Sequence, residues 1–81
     1  MKTAKVTIVL EGDPAMLATL ISSWREDAAD AVLRTEKRAD MAQGAPRFRA
    51  SVMRCRDTCE NVAASLTDAL RLVDAAIDGS E

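Results

Sequence analysis

Histidine and tyrosine are absent from this 81-residue sequence, and Trp24 and Phe48 are its only aromatic side chains. The missing imidazole removes the commonest general acid–base group, the commonest metal ligand and every Ser–His or Cys–His nucleophile pair. Three glycines, Gly12, Gly44 and Gly79, stand too far apart to build a phosphate-cradling loop. No apolar run approaches the ~18–20 residues of a membrane span. The opening Met1-Lys2-Thr3-Ala4-Lys5 carries no apolar block of a signal peptide. Together these absences argue against an enzyme, a cofactor site or a membrane protein, and a cytoplasmic location is expected.

Cysteine is nearly as scarce. Cys55 and Cys59 are too few for a disulfide-rich scaffold. At helical spacing their Cβ atoms lie ~5–6 Å apart, whereas a disulfide needs ~3.8 Å. A zinc site would need two further ligands from a second chain. Two small buried thiols and no metal are therefore predicted.

What the chain does contain is 48% hydrophobic and 30% charged residues, the balance of a folded domain. Its length allows one small domain with much apolar surface left uncovered, so self-association or a partner is expected. Lys5-Val6-Thr7-Ile8-Val9-Leu10-Glu11 is rich in β-branched residues, and the alternation predicts a strand over 5–11. Asp13 is a good N-cap, and Pro14 suits a first helical position. A Gly- and Pro-free stretch then predicts a first helix over 14–43. Gly44-Ala45-Pro46 reads as the turn, with Gly44 free to take the left-handed cap conformation, and a second helix follows over 47–78.

The second helix carries a 4-3 repeat: Phe48, Val52, Cys55, Cys59, Val62, Leu66, Ala69, Val73, Ala76. The first offers Leu17, Ile21, Trp24, Ala28, Val32, Thr35, Ala39, Ala42. Folded antiparallel, Ala42 meets Phe48, Val32 meets Cys59, Trp24 meets Leu66 and Leu17 meets Val73, with large facing small in most layers. A coiled-coil-like antiparallel hairpin is predicted, with Trp24 and Phe48 in its core. A lone strand lacks partners for its backbone groups. Two strands from two chains are therefore expected to pair, with Val6, Ile8, Leu10, Leu20, Leu70 and Ile77 at the homodimer interface. The fold class expected is mainly α, with an N-terminal strand.

Charge is segregated along the chain. Residues 34–56 hold Arg34, Lys37, Arg38, Arg47, Arg49, Arg54 and Arg56 against Glu36 and Asp40, a net of +5. Residues 1–33 carry −2 and residues 57–81 carry −5. In the hairpin the seven cations fall within ~15 Å of the turn at ~1.5 Å per residue. The expected molecule is a rod with a basic tip and an acidic base. Arg forks pair well with carboxylates and phosphates, so the seven cations are the candidate partner-binding residues.

A strand over Lys5–Glu11 followed by two helices, in a chain expected to dimerise through that strand, resembles the ribbon-helix-helix DNA-binding proteins. The resemblance spans about fifteen residues, and that family's first helix is much shorter than the one read here. It implies paired strands in a DNA major groove, with Lys5, Thr7, Val9 and Glu11 facing the bases. Lys5 and Thr7 suit that role, whereas Val9 reads little and Glu11 repels phosphate. The net charge of −2 also opposes non-specific DNA binding. The function expected is a non-enzymatic module that binds an acidic surface of a larger protein, as an adaptor or inhibitor, for which a phage or mobile-element origin fits. A nucleic-acid-binding dimer is the alternative, followed by a binder of a small anion such as a nucleotide.

Overall fold

A computed structural model describes residues 3–79 of the chain. Two long helices, α1 (Pro14–Met41) and α2 (Pro46–Asp78), fold back on each other as a hairpin. The rod measures 57 × 25 × 14 Å.

Local chemistry explains each boundary. The Asp13 carboxylate accepts from the Met16 N–H at 3.1 Å, satisfying one of the amides that open α1, and Pro14 gives up no hydrogen bond there. At the other end α1 stops at Met41, two residues earlier than the composition predicts. The Ala42 N–H donates to the Ala39 carbonyl at 3.1 Å and the Ala45 N–H to the Ala42 carbonyl at 3.0 Å. Such tight i→i−3 bonds finish the helix without a left-handed residue. Gly44 accordingly does not adopt the left-handed conformation expected of it. Pro46, read from sequence as part of the turn, is the first residue of α2.

The 5–11 segment forms no strand, and no strand occurs among the described residues. Within one chain it has no partner edge, because the backbone groups of both helices are satisfied internally. Val6 and Ile8 are exposed, whereas Leu10 and Glu11 line a shallow concavity with Leu17, Leu72 and Val73 at the base of the hairpin.

The seam follows the predicted stripe closely on α1. Ile21, Ala28, Thr35, Ala39 and Ala42 are buried, and Ile21 is 2% exposed. Thr35, the buried polar member, donates its hydroxyl to the Ala31 and Val32 carbonyls at 2.9 Å, so its burial leaves no hydrogen bond unmade. On α2, Val52 and Leu66 are buried, with Cys59, Val62, Ala69 and Val73 half-buried. Ile21, Ala28 and Leu66 form the core, and Leu17, Val62, Ala63, Ala69, Leu70 and Val73 pack around them.

Four expected seam residues lie outside it, among them Ala76, which is exposed near the end of α2. Phe48 is 52% exposed, because α1 ends before it can cover the first turn of α2. Cys55 is exposed, and the half-buried Arg56 occupies the seam edge instead. Trp24 is 43% exposed: it falls beside the line through Ile21 and Ala28, not on it.

Candidate binding surface at the hairpin tip

Arg34, Lys37, Arg38 and Met41 follow the i, i+3, i+4, i+7 spacing of one helix face. They therefore line one side of the end of α1. Phe48, carried by the start of α2, closes the other side, and Ala42 and Ala45 line the space between them. The result is an open concavity of about 580 Å³ with three cations and two large apolar side chains around it. Met41 is 80% exposed, so both hydrophobic members remain available to a partner.

Among the described residues the ion pairs are Arg56–Glu36, Arg56–Asp57 and Arg71–Asp68, so Arg34, Lys37 and Arg38 enter none. The structure thus brings three of the seven candidate cations into one site. Arg47, Arg49 and Arg54 are exposed on α2 but do not line it. Arg56 is withdrawn altogether. Its guanidinium donates to Asp57 at 3.0 Å and lies 3.5 Å from Glu36 across the hairpin. That hydrogen bond to Asp57, with Glu60 and Glu36 nearby, raises its already high pKa.

The expected interface residues separate as well. Leu20 is 63% exposed and lies with Val6 and Ile8 on open surface, whereas Leu70 packs against the core and Ile77 lies in the last turn of α2. Among the described residues no group of three acidic, Cys or His side chains could hold a metal ion. Burial pushes the Cys59 thiol up, the adjacent Cys55 adds to the effect, and Arg34 opposes it. No helix is long and apolar enough to cross a membrane.

Met41 and Phe48 are the site members that sequence reasoning missed. The 4-3 repeat assigns Phe48 to the seam, and only the early end of α1 exposes it. Met41 sits one helical turn beyond Lys37 and Arg38, which is the signal that places it on their face. Comparison of the chain with protein-family models, curated proteins and solved structures finds no significant match.

Proposed function

We propose that this chain is a non-enzymatic protein-binding module whose hairpin tip docks an acidic, partly apolar surface of another protein, acting as an adaptor or inhibitor. The observation that supports it is the concavity in which Arg34, Lys37 and Arg38, in no ion pair among the described residues, stand beside exposed Met41 and Phe48. Carboxylates of a partner would meet the cations, and its aliphatic or aromatic side chains would meet Met41 and Phe48. A mixed surface of this kind suits protein better than a phosphate backbone, which offers only charge to the apolar members.

Nucleic acid is the second reading, and the exposed Arg47, Arg49 and Arg54 outside the concavity favour it. Against it stands the net charge of −2 for the whole chain, with Asp68, Asp74 and Asp78 carried on α2 towards the base of the rod.

One titration separates the two. A labelled amphipathic peptide of glutamate and leucine, a lysine–leucine counterpart and a DNA duplex are titrated by anisotropy at dilute protein and graded salt. The proposal expects binding of the acidic peptide alone, lost in a variant carrying Arg34→Glu, Lys37→Glu and Arg38→Glu with helicity retained. Binding of the duplex with a steep salt slope, or acidic-peptide binding unchanged in that variant, overturns it.

A further inference from the structure

A second 4-3 stripe runs along the outside of α1, through Leu20, Trp24, Asp27, Ala31, Arg34, Arg38 and Met41. At about 100° per residue its centre lies roughly a quarter turn from that of the buried stripe Ile21–Ala28–Thr35–Ala39. A helix with two such faces serves two neighbours, as in a four-helix bundle. One neighbour, α2, is present. The other face is open: Leu20 is 63% exposed, Trp24 43% and Met41 80%, and Asp27, Arg34 and Arg38 are exposed and form no ion pair among the described residues.

The stripe is self-complementary when reversed. Lay a second α1 antiparallel with the two-fold axis at Ala31, and every layer receives a fitting pair. Ala31, the smallest member, meets its own copy on the axis, where two large side chains would collide. Asp27 meets the partner's Arg34, opposite charges that form no ion pair among the described residues of one chain. Trp24 meets the partner's Arg38, an indole face beneath a guanidinium. Leu20 meets the partner's Met41, apolar against apolar. Each pairing occurs twice by symmetry, as an isologous interface requires. A parallel arrangement would instead set Asp27 against Asp27, Arg34 against Arg34 and Arg38 against Arg38.

We propose that the tip concavity is filled by the base half of α1 from a second copy of this chain, giving an antiparallel four-helix dimer. The inference rests on the tip being an acidic-protein docking surface, and names the protein that fits it. It also places the two 5–11 segments at opposite ends of the dimer, so paired strands have no part in it. Self-pairing and capture of another acidic protein then draw on the same groups, Arg34, Arg38 and Met41.

Sedimentation equilibrium of the full chain over a wide concentration range tests it, with circular dichroism confirming helicity. Asp27→Arg, which leaves every residue of the tip concavity in place, should weaken dimerisation about tenfold, since each dimer holds two such pairs and tenfold is ~1.4 kcal/mol in all. Arg34→Asp alone should do the same, and the two together should restore the dimer. In a background lacking Cys55 and Cys59, Leu20→Cys with Met41→Cys should form interchain disulfides on mild oxidation, and Leu20→Cys alone should not. A monomer at every concentration, a dimer indifferent to Asp27→Arg, or a charge swap without rescue overturns the pairing. The reading of the tip is judged separately. A chain that pairs as described yet, as the Asp27→Arg monomer, binds no acidic peptide defeats that reading and leaves the dimer standing.

Discussion

Arg56 of α2 reaches across the hairpin to Glu36 of α1, its Nη1 3.5 Å from the carboxylate, while its own Nε is buried without a hydrogen-bond partner. It therefore gains an ion pair and packing for its aliphatic stem, and leaves one donor unmade. Both partners are partly open to solvent, their side chains 27% and 44% exposed, which weakens the attraction by screening. The stem, not the charge, is the larger contribution of this residue.

Arg56→Met should consequently keep the seam filled, remove the orphaned donor and leave the melting temperature equal or higher. Arg56→Ala, which removes the stem as well, should lower it. Thermal unfolding followed by circular dichroism distinguishes the two. A methionine variant as unstable as the alanine variant would show that the ion pair carries the interaction.

Leu66 is the large α2 side chain at the centre of the core, against Ile21 and Ala28. Leu66→Ala should cost about 2–4 kcal/mol through lost transfer free energy and an unfilled cavity. In so small a domain that is a large part of the total stability. Urea unfolding should show a lowered midpoint, with the change at Leu72→Ala, an exposed position, within about 0.5 kcal/mol of zero in dilute protein.

At the turn, Gly44 has a negative φ and nothing within 4 Å of where a Cβ would lie. Gly44→Ala should therefore stabilise the fold by about 0.4–1 kcal/mol, by restricting the unfolded chain. A loss of stability would mean that the turn needs a left-handed glycine after all.

Placing proline at Ile8 is decisive for the N-terminal segment. A paired strand would lose a ladder donor and its dimer. With the helix-paired dimer proposed above, Ile8→Pro should leave both helicity and mass unchanged in light scattering. A species that shrinks toward the monomer restores the strand ribbon.

The two thiols should behave differently in dilute protein. Cys55 is exposed and Cys59 half-buried, so Cys55→Ala should be nearly neutral and Cys59→Ala should cost about 1 kcal/mol. The raised Cys59 pKa means that the unfolded chain releases this proton first. Its contribution to stability is full below the unfolded thiol value and is lost as pH rises through the folded one. Alkylation should reach Cys55 before Cys59, with the gap narrowing as the solution becomes alkaline. Elemental analysis should find no stoichiometric zinc.

The hairpin and its register are written in the chain, because hydrophobic period, proline, capping aspartate and charge blocks are all local signals that each residue carries wherever it sits. Asp13 and Pro14 open α1 as read, and Ile21, Ala28, Thr35 and Ala39 fall on the seam as read. What a 4-3 repeat leaves undetermined is which of two adjacent columns faces inward at each level. That depends on where the opposing helix ends and how large its side chains are. Thus Phe48 is exposed by the stop at Met41, Arg56 displaces Cys55 at the seam edge, and Trp24 yields the centre to Ile21 and Ala28. Strand formation is undetermined in the same way: Val6, Ile8 and Leu10 supply the alternation, but a strand exists only against another edge, and a single hairpin has none. The seven cations were legible as a cluster from charge alone, whereas only the tertiary arrangement divides them. It gathers Arg34, Lys37 and Arg38 around one concavity, leaves Arg47, Arg49 and Arg54 on open helix, and turns Arg56 inward, because direction around a helix axis, not position along the chain, decides what a side chain can reach.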